Sequence, residues 1–158
     1  MPPPLLIDLA RVDVDHTFLT KEQIYELLPQ AFEFQVLDGL CHWDAVNAQG
    51  VAYADIELDA WWVRGHVPGR PLLPGVLMLE MAAQASAVVA RLAGGLVGFV
   101  GFGGVDRCKF RETVVPPARL YVLCVAMAVR QRRIVSETQG VIDGRVVFEA
   151  RITGLMLP

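Results

Sequence analysis

Residues 65–84 read G-H-V-P-G-R-P-L-L-P-G-V-L-M-L-E-M-A-A-Q, and the fold turns on the change of character halfway along. From Arg64 to Gly75 the chain is rich in proline and glycine. Pro68, Pro71 and Pro74 fix φ and remove backbone donors, which excludes regular structure there. From Gly75 to Leu92 (GVLMLEMAAQASAVVARL) the dominant residues are Leu, Met and Ala, all good helix formers. The helix is apolar nearly all round, the pattern of one enclosed by protein and not laid on a surface.

The flanking segments can enclose it. Thr20 followed by KEQIYELL predicts a short helix, with Thr20 as N-cap, Gln23 at the capping-box position and Pro29 as the stop. Residues 32–46 and 51–58 predict two strands joined by the turn residues Asn47-Ala48-Gln49-Gly50. Beyond the long helix, four strands are expected at about 97–111, 119–131, 133–142 and 145–156, with Asp143-Gly144 turning the last hairpin. The stretch 120–129 (LYVLCVAMAV) lacks alternation, as a central strand covered on both faces does. The stretch 145–153 (RVVFEARIT) alternates, which predicts one wet face. The simplest α+β arrangement is one antiparallel sheet wrapped around one long buried helix. Residues 1–19, with their Pro2–Pro4 run, read as an N-terminal arm, and residues 20–158 as a single domain.

Composition narrows the function classes. Of 158 residues, 54% are hydrophobic and 20% charged, against roughly 25% charged in a typical soluble domain. The apolar excess implies a buried subunit interface, an apolar ligand cavity, or both. A membrane span is not expected: Glu80 and Arg91 interrupt the most apolar region, and its longest uncharged run, Leu92 to Val105, is 14 residues loaded with glycine. The N-terminal residues carry Asp8 and no basic cluster, unlike a signal peptide. Three unpatterned cysteines (Cys41, Cys108, Cys124) predict reduced thiols in a cytoplasmic protein, with no zinc site. A net charge of −3 does not favour nucleic acid as a partner.

Three positions carry candidate chemistry. Glu80 lies in the middle of the apolar helix, where an unpartnered carboxylate is costly. Gln84, one turn later, can hydrogen-bond it. His66 sits in the Pro/Gly-rich passage, and imidazole exchanges protons near neutral pH. Gly75 opens the helix, where backbone N–H groups are unsatisfied, the dipole is positive and no side chain blocks approach. Singly, each also has a plain structural reading: a buried Glu–Gln pair or a solvent-facing Glu, a histidine satisfied by backbone, and a glycine easing a turn.

Together, the string from Gly65 to Gln84 resembles the signature of the 3-hydroxyacyl-(acyl-carrier-protein) dehydratases, roughly GHFPGRPxxPGVLxxExxAQ. Ile24 to Asp38, Gly104 to Arg111 and Val114-Val115-Pro116 are similar to that family's other segments, so about residues 20–157 are covered. The resemblance implies a hot-dog fold and a homodimer whose two sheets join, often built into a trimer of dimers. It implies an active site at the dimer interface, with His66 from one subunit and Glu80 from the other, and it favours the branch with glutamate at this position. His66 is then expected to take the C2 proton of a 3-hydroxyacyl thioester, Glu80 to protonate the departing hydroxyl, and the Gly75 N–H to hold the thioester oxygen. Val67 and Gln84 join Gly75 as substrate-contacting positions. No metal or other cofactor is expected, and the resemblance implies a substrate carried on the phosphopantetheine of acyl carrier protein. Arg64, Arg70, Arg107, Lys109 and Arg111 are candidates for docking that acidic partner.

Three segments depart from the pattern. Val67 replaces a phenylalanine, Pro29-Gln30-Ala31-Phe32-Glu33-Phe34 stands where PHRYPF is usual, and Val114-Val115-Pro116-Pro117-Ala118 stands for VVPGD. These leave two alternatives open: a hot-dog dehydratase or hydratase acting on acyl-coenzyme A or polyketide intermediates, and a non-catalytic acyl-binding subunit.

Overall fold

The computed structural model describes residues 1–94 and 96–157. Seven strands form one antiparallel sheet: β1 (Leu19–Thr20), β2 (Gly39–Asp44), β3 (Gln49–Ile56), β4 (Phe99–Phe110), β5 (Ala118–Arg130), β6 (Arg133–Ile142) and β7 (Arg145–Leu157). Their spatial order is β1-β2-β3-β5-β6-β7-β4, which leaves the 12-residue β4 on an edge. Among the described residues there are three α-helices, α1 (Lys21–Leu27), α2 (Val63–His66) and α3 (Gly75–Gly94). The sheet wraps around α3, as expected.

Ten residues of α3 are buried, and Ala82, Ala85, Val88, Val89 and Ala90 are fully so. The alanines let the strands come close, while Val88 and Val89 join Leu40, Leu120, Val122 and Phe148 in the main core. By length and apolarity alone α3 would pass as a membrane-crossing helix. Here the sheet covers it.

Local chemistry explains the edges of the elements. Thr20 caps α1, with its hydroxyl accepting from the Gln23 N–H at 3.3 Å, and the Gln23 side chain accepts from the Thr20 N–H at 2.9 Å. Asp143 and Gly144 take φ of 49° and 74°, the left-handed pair of a tight hairpin turn. The turn before β3 is shorter than expected, because Gln49 and Gly50 already pair with Asp44 and Trp43.

Two expectations fail. The strand predicted over 32–46 exists only from Gly39; Phe32–Phe34 form a single 3-10 turn, with Phe32 at φ 52°. The reason lies in the partners of that backbone. The Phe34 carbonyl accepts from Gln84 and the Leu37 N–H donates to Tyr25, so side chains of two helices satisfy groups that a sheet ladder would have used. The second failure is the irregular passage 64–75, whose start is the one-turn helix α2; the His66 N–H bonds the Trp62 carbonyl at 2.9 Å before Pro68 ends it.

The N-terminal arm lies on the outer face of the sheet. Ile7 is buried against Cys41, Val51, Leu123, Val141 and Val146. Gln139 clamps it in both directions, accepting from the Leu6 N–H at 2.8 Å and donating to the Pro4 carbonyl at 3.0 Å. This is the second cover that the unalternating β5 required, but it reaches only as far as Val125; Met127 is exposed, so the expectation of a strand covered on both faces over 120–129 fails in its second half. The arm also modifies the reading of β7: Val146 is buried under it, and of the face expected to be wet Arg145 is exposed while Glu149 and Arg151 are only part-open.

Candidate active site

Glu80 and Gln84 stack one turn apart on α3, the spacing at which helical side chains meet. The Gln84 amide is buried and every polar atom of it is used. Its Nε2 donates to Glu80 Oε1 at 2.7 Å and to the Phe34 carbonyl at 2.8 Å. Its Oε1 accepts from the Tyr25 hydroxyl at 2.7 Å. The Tyr25 oxygen in turn accepts from the Leu37 N–H at 2.8 Å. Burial pushes the Tyr25 phenol well above its ordinary range, with the Leu37 N–H opposing this and the charges of Asp38 and Glu80 adding to it. Tyr25 is therefore a neutral hydroxyl at physiological pH.

Glu80 is partly buried and lies on the wall of a cavity of about 190 Å³. The cavity runs between α3, the segment 28–30, β4 and β7. Its apolar wall includes Leu28, Ala87, Phe102 and Ile152, and Arg91 stands about two turns beyond Gln84 along the same helix. The Arg91 guanidinium donates to the carbonyls of Leu96 and Gly98, which ties the end of α3 to the passage before β4.

The structure places the other sequence-predicted residues elsewhere. His66 and Val67 are exposed at the end of α2, and neither lines the cavity that Glu80 does. Gly75 begins α3, and a Cβ there would stand 3.0 Å from the ring of Phe110. That aromatic ring lies over the helix N-terminus. The chain thus brings Glu80 and Gln84 together and leaves His66 outside their cavity. Of the basic candidates, Arg107 and Arg111 pair with Glu137 and Glu149 at 4.0 and 2.7 Å, while Arg64 and Arg70 remain exposed on either side of His66.

Sequence reasoning missed Tyr25, the Phe34 carbonyl, Gln30 and Arg91. Tyr25 sat inside a helix recognised for its capping box, and its one available signal was its place beside the buried Ile24. Gln30 stands where the resembled family has histidine, and it lines the cavity.

A single antiparallel sheet wrapped around one long helix defines the hot-dog class. The FabA-like domain family matches residues 28–151, and the chain belongs to that family. Among solved structures, the dehydratase heterocomplex ApeI:P of Xenorhabdus doucetiae has a TM-score of 0.73 and 15% identity, covering 89% of this chain and 93% of that one. AziG of S. sahachiroi has a TM-score of 0.60 and 19% identity, with 77% and 90% covered. A hypothetical thioesterase protein of Streptococcus pneumoniae, solved with coenzyme A, has a TM-score of 0.63 and 13% identity, with 87% and 97% covered. Both dehydratases and thioesterases therefore share this fold.

Proposed function

We propose that the chain is a hydro-lyase that converts 3-hydroxyacyl thioesters, carried on acyl carrier protein, to trans-2-enoyl thioesters, and that it works as a homodimer. The observation that carries this reading is the placement of Glu80: a carboxyl group on an apolar cavity, with one oxygen tied down by Gln84.

The chemistry needs a base at C2, an acid at the C3 hydroxyl and a donor for the thioester oxygen. His66 takes the C2 proton. The electrons of that C–H bond move into the C2–C3 double bond as the C3–O bond breaks. Glu80 gives its proton from the oxygen not held by Gln84, and the hydroxyl leaves as water. The Gly75 N–H, at the positive end of α3, stabilises negative charge on the thioester oxygen. Val67 and Gln84 line the reacting end. Each turnover ends with a protonated imidazole and a carboxylate, which exchange the proton through solvent. His66 lies outside the cavity of its own protomer, which supports a site completed by a second copy.

The test is complementation between two inactive variants. His66→Ala and Glu80→Gln each lose most activity, on the order of 100-fold or more. Refolded together, they recover a fraction, because one site in each mixed dimer regains both groups. Mixed dimers that form and stay inactive would refute the shared site. Assaying carrier-protein and coenzyme A thioesters side by side tests the carrier; faster turnover of the coenzyme A ester reassigns the substrate.

A further inference from the structure

The hydrogen bonds behind Glu80 run in one obligatory direction. The Leu37 N–H can only donate, so it fills a lone pair of the Tyr25 oxygen. The Tyr25 proton must then go to an acceptor, and Gln84 Oε1 is 2.7 Å away. With its oxygen committed to Tyr25, the Gln84 amide presents its NH2 end to Glu80 Oε1 and to the Phe34 carbonyl. An amide flip would set oxygen against the Phe34 carbonyl and leave the Tyr25 hydroxyl facing a donor. The order of the chain thus decides which oxygen of Glu80 is an acceptor and which is free to carry a proton.

We propose that Tyr25 is a positioning residue for Glu80: acting through Gln84, it fixes the orientation of the carboxyl group and holds the proton on the oxygen that faces the cavity. This rests on the reading of Glu80 as the acid of the proposed dehydration. A neutral donor polarised by a second hydrogen bond is a stronger donor. Donation to a carboxylate favours its charged form. The ionisable groups around Glu80 are few. Among the described residues, Arg91 is the other one lining the cavity. From α1 there is Tyr25, and behind it Asp38, which Lys21 pairs at 3.4 Å. In the proposed dimer, His66 of the second copy adds one more.

The test is Tyr25→Phe, which removes one hydroxyl and keeps the ring. The expected result is a fall in kcat of roughly tenfold with KM little changed. The alkaline limb of the kcat profile moves up by about half a pH unit or more, because Glu80 has lost part of the donation that favoured its charged form. The double variant Tyr25→Phe/Gln84→Ala then has the same limb as Gln84→Ala alone, since Gln84 is the hydrogen-bonded link between Tyr25 and Glu80. An infrared titration of the carboxyl band that disappears in Glu80→Gln reads the same shift without turnover. With Glu80→Gln inactive, an unmoved limb and band in Tyr25→Phe overturn the positioning role and leave the dehydratase reading standing. A fully active Glu80→Gln overturns the dehydratase reading, and the positioning role with it.

Discussion

At the scale of single residues, the site depends on what small or buried groups permit. Gly75 shows this. An added methyl would meet the Phe110 ring at 3.0 Å, but that ring is half exposed and can swing aside. The stability cost of Gly75→Ala is therefore expected to stay below about 1 kcal/mol. On the proposed mechanism the cost to catalysis is larger, because the same methyl would obstruct the approach of the thioester carbonyl to the helix N-terminus. We expect a drop in kcat/KM of roughly tenfold or more. Adding Phe110→Leu should recover the melting temperature without recovering turnover. Full activity in Gly75→Ala would show that the thioester oxygen binds elsewhere.

At the scale of elements, the N-terminal arm does what a further layer would do in a larger protein. It keeps the outer face of β2, β3, β5, β6 and β7 dry around Ile7. Burying one isoleucine side chain contributes about 1.5–3 kcal/mol, so deleting residues 1–12 should lower unfolding free energy in urea by about that much or more. Cys41 reports the same event. Burial pushes its thiol up to about 11, with its own backbone and Arg119 opposing. Against the ordinary value of 9.0, that lowers the thiolate fraction at pH 8 by about 100-fold. Cys41 should resist a thiol reagent in the intact chain and react rapidly after the deletion. Unchanged reactivity would mean that the arm does not cover this strand in solution.

At the scale of the whole molecule, β4 is the exposed feature. It ends the sheet, and Phe99, Phe102, Val105 and Phe110 are all exposed along it. Natural sheets protect long apolar edges with charge, bulges or a partner. Here two register shifts break the β4–β7 ladder, near Phe102/Gly104 and Asp106/Lys109, yet the apolar side chains stay open. A second copy joined edge to edge would cover them and continue the sheet. Val105→Lys is accordingly expected to shift the assembly toward monomer in light scattering and to lower activity in proportion. A monomer with undiminished turnover would contradict a site shared between two chains.

Sequence by itself determined the enclosing architecture: the helix apolar all round from Gly75, the hairpin at Asp143-Gly144, the capping box at Thr20, and the family through the string from Gly65 to Gln84. These are local or periodic signals, so they survive without coordinates. It also placed Gln84 correctly beside Glu80, because one helical turn is a fixed distance. Tertiary structure alone decided what lies across space. The segment 32–38 is no strand, because Tyr25 and Gln84 take its backbone groups from two separate helices. The arm is a cover for the sheet, because Gln139, well over a hundred residues away, clamps it. His66 and Glu80, only 14 positions apart in the chain, lie outside and inside one cavity, because the prolines between them direct the backbone away before α3 begins. Such contacts follow from how elements pack, and no pattern along the chain encodes them.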